Sequence, residues 1–140
     1  MHNDPEILPP SYLLDIVEDI MGKKATRWTV PDCGLSSALR FSVQLEDNSK
    51  VFVKAATDED TEQWLRTEHL VLSSAQKEFM PSVLDWIDEP GIHPVLISQD
   101  LSHAYWPASH SGVVWRDGDI DLLLGGIREL SLQTAPPGLP

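Results

Sequence analysis

At 140 residues, 41% of them apolar, the chain has the length of one compact domain and too much apolar side chain for wholesale disorder. Ten basic against 22 acidic residues give a net charge of −12 with no Lys/Arg cluster, which argues against nucleic acid and against an anionic membrane surface as partners. A lone cysteine, Cys33, rules out an internal disulfide, and Asp4, Glu6, Asp15, Glu18 and Asp19 do not suit a signal or transit peptide, so a soluble cytoplasmic protein is expected.

Residues 1–10 contain three prolines and read as a loop. Ser11 is placed to cap a helix running to about Met21, with Leu14, Val17 and Met21 on one side and Gly22 as its stop. Trp28-Thr29-Val30 reads as a short strand, and 31–37 as a turn of small residues. Leu39, Phe41, Val43 and Leu45 alternate with polar residues, which predicts a strand to Glu46 with one wet face. Asp47-Asn48-Ser49 turns the chain into a return strand from Lys50 to Ala56. Thr57 caps a helix over 58–76, with Asp58, Glu59 and Asp60 suiting its positive end. Two strands follow, Val83 to Ile87 and Pro94 to Ser98. Irregular chain over 99–117 then leads to a last helix from about Gly118 to Leu132. That helix carries Ile120, Leu123, Leu124, Ile127 and Leu130 on one side. The order implies an α+β layer built on an antiparallel meander.

Lys54 interrupts an apolar strand. Alternation puts Val51, Val53 and Ala55 on the face expected under the following helix, and Phe52, Lys54 and Ala56 on the other. In that helix Trp64, Glu68, Val71, Leu72 and Ala75 form one stripe with Glu68 in its middle. A carboxylate there must meet a cation or reach the edge of the layer, and Lys54 is the nearest candidate. The alternative is a solvated pair, Lys54 on a wet strand face and Glu68 at the helix rim.

From Cys33 to Pro140 the chain resembles the N-terminal half of the aminoglycoside phosphotransferase family of small-molecule kinases, which includes choline- and homoserine-kinase-like enzymes. Gly34-Leu35-Ser36-Ser37-Ala38-Leu39 is similar to that family's nucleotide loop, and Val51-Phe52-Val53-Lys54 to its lysine strand. Thr67-Glu68-His69-Leu70-Val71-Leu72 is similar to its glutamate helix, and Val95-Leu96-Ile97-Ser98-Gln99-Asp100-Leu101 to its hinge, with Gln99 where Glu is usual. The stretch from Arg128 to Pro140 resembles the helix and Pro-rich loop after the hinge.

The resemblance implies a protein-kinase-like N-terminal lobe: a five-stranded antiparallel sheet with a packed helix, flanked by N- and C-terminal helices. The divisions would be a loop and helix over 1–24, the lobe with its hinge over 25–101, and a post-hinge loop and helix over 102–140. It implies ATP as ligand. Gly34, with Ser36 or Ser37, would hold phosphate oxygens; Lys54 would bind the phosphates and Glu68 would fix Lys54; the backbone of Ser98, Gln99, Asp100 and Leu101 would meet the adenine edge. The implied reaction is ATP-dependent O-phosphorylation of an aminoglycoside- or choline-like hydroxyl.

The departures matter. No H-x-D-x-x-x-x-N loop occurs in the sequence, and Leu132-Gln133 stands where the family often has Leu-His. An N-lobe without its catalytic C-lobe is therefore expected. It would be inactive by itself, with Mg²⁺ bound only alongside that second lobe. The other expectation is a non-catalytic binding or self-assembling module, a homo-oligomer formed through the surface that would face the C-lobe.

Other motifs carry less. Asp117-Gly118-Asp119-Ile120-Asp121 opens like a calcium loop, but Leu122 and Arg128 occupy the positions needing Gly and Glu, so helix-start acids are the better account. His103 and His110 have no nearby Cys to suggest zinc. Trp106 and Trp115 read as a cap over apolar surface, and no cation adjoins Cys33 to activate it.

Overall fold

A computed structural model of the chain describes residues 5–31, 37–75, 78–109 and 111–140. It is an α+β structure: helix α1 (Ser11–Met21), strands β1 (Ala25–Thr29), β2 (Leu39–Leu45) and β3 (Lys50–Ala55), helix α2 (Glu59–Ala75), strands β4 (Val83–Ile87) and β5 (Val95–Gln99), a small hairpin of β6 (Ala108–Ser109) and β7 (Gly112–Val113), and helix α3 (Asp119–Ser131). Strands β1 to β5 form one sheet in the order β1-β2-β3-β5-β4, antiparallel throughout. The expected meander is present, and β5 enters between β3 and β4.

The two sheet faces take one helix each. Leu13 and Val17 of α1 are fully buried against Phe41, Val43, Leu45, Val51, Val53, Ala55, Val95 and Ile97, the main core. Leu65 and Leu72 of α2 pack on the opposite face with Ala56, Leu96 and the partly buried Met80, Val83 and Trp86. This corrects the expected layering: the face of Val51, Val53 and Ala55 lies under α1, and α2 covers the Lys54 face. The physical reason lies in supply and demand for apolar surface. The apolar positions of β2, β3 and β5 make one deep face, which α1 can seal with Leu13 and Val17.

The inward stripe of α2 also differs from expectation. Its buried residues are Thr61, Leu65 and Leu72, while Trp64 is 58% exposed. Glu68 falls between Leu65 and Leu72 on this stripe, as the spacing i, i+3, i+7 requires. At the start of α2, Asp58 rather than Thr57 is the cap. Asp58 Oδ1 accepts from the Thr61 amide at 2.8 Å, and Thr61 Oγ1 accepts from the amides of Thr57 and Asp58 at 2.8 and 3.0 Å. This reciprocal arrangement satisfies amides that the first helical turn leaves without partners. The Thr61 amide and the Thr61 hydroxyl, both donating to the Asp58 carboxyl, hold it below its usual range. Helix α1 starts after Pro10 with no side-chain cap, so Ser11 does not play the expected role, and Gly22 ends the helix in the left-handed region at φ 64°.

The region after β5 is not wholly irregular, since β6 and β7 pair through Ala108–Val113. Arg116 lies 3.8 Å above the Tyr105 ring. Helix α3 forms with Asp119 and Asp121 in its first turn but buries none of its residues. Among the described residues, no helix is long and apolar enough to cross a membrane.

Candidate functional site

The site is a patch of sheet face at the open side of α2. Strand register sets it out in rows. Arg40, Lys54, Leu96 and Trp86 lie directly opposite one another across β2, β3, β5 and β4. The next row is Ser42, Phe52, Ser98 and Val83. Directly opposed residues share a face, so these two rows point the same way. The apolar end, Leu96 and Trp86, sits under α2; the polar end, the half-buried Arg40 and the buried Ser42, lies on β2 on the same face.

Lys54 and Glu68 meet as expected, although from one face rather than from two. The Lys54 ammonium donates to both carboxylate oxygens of Glu68, at 2.7 and 2.8 Å. The side chains are 26% and 36% exposed, so neither is sealed from water. A cation held by two short charge-assisted bonds at the edge of a layer is fixed in position while one side stays open to a ligand.

The hinge residues lie on β5 and just beyond it. Ser98 is buried. The Gln99 amide donates to the Ser82 carbonyl at 2.8 Å and the Gln99 side-chain oxygen accepts from the Ser82 amide at 3.3 Å, while the Leu101 carbonyl accepts from Ala104 at 2.9 Å. Two backbone groups in the stretch expected to face adenine are thus engaged within the chain.

Asp100 does something the sequence reading did not foresee. It is 5% exposed, accepts from Ser42 Oγ at 2.5 Å and from the Ser102 amide at 2.9 Å, and is also bonded by Ser102 Oγ. It ties the chain leaving β5 back to β2. The period-two alternation of β2, which aims Ser42 at this face, was the available signal.

Ser37 joins the start of α2: Thr57 Oγ1 donates to its carbonyl at 3.3 Å and Ser37 Oγ donates to Asp58 at 3.4 Å. Gly34 and Ser36, with Cys33, and likewise His110, lie outside the described residues.

A second polar network lies along the N-terminal half of α2. His93 Nδ1 is 2.6 Å from Glu62, Arg66 reaches Glu62 at 3.4 Å and Asp88 at 2.9 Å, and His69 stacks flat on Trp86 at 4.3 Å. Burial pushes the His69 pKa down, partly opposed by the Asp88 charge, and the Arg66 guanidinium holds Asp88 below the usual carboxylate range.

Two surface grooves lie away from Lys54. One runs between the outer side of α2, from Glu59 to Leu70, and the tail at Gly138 and Pro140; the other lies between α1 and Glu46. Among the described residues, no group of three His, Cys, Asp or Glu side chains is arranged to hold a metal ion.

Against this geometry, no protein-family model, no curated protein and no solved structure matches the chain.

Proposed function

We propose that the chain is a nucleotide-binding unit, the N-terminal lobe of a small-molecule phosphotransferase that uses ATP to phosphorylate a hydroxyl of an aminoglycoside- or choline-like acceptor. The observation that carries this reading is the Lys54–Glu68 pair, bidentate and half-open on a sheet face. A lysine clamped by a helix glutamate presents a fixed positive charge to phosphate oxygens, and phosphoryl transfer depends on such positioning. Phe52, half-buried between Ser42 and Ser98, offers an aromatic surface on the same face for a base. With no H-x-D-x-x-x-x-N loop in the sequence, these residues are expected to bind nucleotide and not to turn it over; the base and the Mg²⁺ ligands would come from a second lobe.

Thermal unfolding with and without ATP tests the proposal. ATP should raise the Tm of the wild type, and Lys54→Ala should remove that rise. A wild type indifferent to millimolar ATP overturns it.

A second reading, a non-catalytic self-assembling module, draws on α3. Ile120, Leu123, Leu124, Ile127 and Leu130 are each about half exposed. An apolar stripe of this kind is a site for association, and a copy of the same helix matches it in length and chemistry.

A further inference from the structure

Arg40 stands directly opposite Lys54 on the neighbouring strand, on the same face, and is itself half-buried. Opposed cross-strand side chains start about 5 Å apart at Cβ, and like charges in that position repel. Glu68 spends both its oxygens on Lys54. In a chain of net charge −12 the overall field repels anions, so a paired cation site works only by local contact. The spacing suits an anion with several oxygens that bridges the two strands. Lys54 supplies a point charge, and the planar guanidinium supplies two parallel donors to one phosphate group.

We propose that Arg40 and Lys54 together form a two-cation polyphosphate site, with Arg40 as the second phosphate-binding side chain. The proposal rests on the phosphate-binding role given to Lys54 above and extends it to a residue outside the lysine–glutamate clamp. Arg40 already has a partner within the fold, so an incoming anion exchanges one contact for another. In the row beside it, Ser42 and Ser98 are buried and Phe52 is half-buried, so Phe52 would meet whatever group is attached to the phosphates. A nucleoside polyphosphate has this shape, with its charged end on Arg40 and Lys54 and its base on Phe52.

The test uses inorganic tripolyphosphate, which reports on the cation pair without a base. Its affinity is measured by calorimetry and by thermal shift for the wild type, Arg40→Ala, Arg40→Lys and Lys54→Ala, with circular dichroism confirming that each variant is folded. The wild type should bind; Arg40→Ala should weaken binding by about tenfold or more, and Arg40→Lys should recover part of that loss, because charge returns without the two-pronged geometry. Added salt should weaken the wild type more steeply than Arg40→Ala. Should Arg40→Ala not fold, Arg40→Gln takes its place, since it keeps most of the side-chain stem.

Equal binding by the wild type and the Arg40 variants overturns the proposal, and so does a wild type that ignores tripolyphosphate. Adenosine and ATP provide the separate arm. Binding of tripolyphosphate that depends on Arg40, with no gain from the adenosine moiety of ATP, upholds the two-cation site and removes the nucleotide reading. Binding of ATP unaffected by Arg40→Ala does the reverse.

Discussion

Lys54 and Glu68 depend on each other because each sits where its charge would otherwise be poorly solvated. Their side chains remain about one quarter and one third exposed, so the pair contributes modestly to stability and mainly to position. Glu68→Gln should therefore leave the unfolding midpoint close to the wild-type value while weakening any phosphate ligand, as read by titration calorimetry. Core residues behave in the opposite way. Leu13 has no exposed surface, and Leu13→Ala should cost about 2–5 kcal/mol in chemical denaturation. His69 adds a pH dependence. Burial lowers its pKa below the unfolded value of 6.5, so its contribution is complete above that pH and is lost as pH falls through the lower folded value. Stability should decline in mildly acidic buffer, and His69→Phe, which keeps an aromatic ring against Trp86, should flatten that decline.

The elements show which parts of the fold were legible in the sequence. Strand alternation placed β2 and β3 correctly to within a residue, because one side of each is apolar and the register follows from the turn at Asn48, whose φ is 67°. The pairing of Lys54 with Glu68 was legible for a different reason, the cost of leaving a carboxylate unpaired in the helix stripe, since alternation was read as turning Lys54 away from α2. Which helix covers which face was not. That choice depends on α1 competing for the deep apolar side, a long-range contact that no local pattern encodes. Trp64 misled the stripe of α2 for a related reason: a large apolar side chain counts as core in a periodicity argument whether or not the sheet below has room for it. The cap of α2 is testable at this scale. Thr61 is buried and its hydroxyl accepts from two amides, so Thr61→Val leaves both without a partner and should destabilise the chain by about 1–3 kcal/mol, measured by urea unfolding.

Across the whole molecule, the balance of surfaces is uneven. The sheet with α1 and α2 buries its apolar residues well, whereas Trp106, Val114 and Leu122 are two thirds exposed or more and α3 buries nothing. Such an amphipathic helix gains stability only by covering its stripe. Sedimentation velocity should show association that rises with concentration, and Leu124→Lys should return the chain to monomer. A wild type that stays monomeric at high concentration removes the self-assembling reading.

The placement of β5 between β3 and β4 has a kinetic side. Strands β1, β2 and β3 are joined through neighbouring chain and can zip up early, but Val51 must wait for Gln99, from far along the sequence, before the sheet is closed. The row of Arg40 and Lys54 is completed by Leu96 only at that late step. In pulsed hydrogen exchange, amides bonded between β2 and β3 should gain protection before those bonded between β3 and β5, so a ligand-ready patch emerges only as folding finishes.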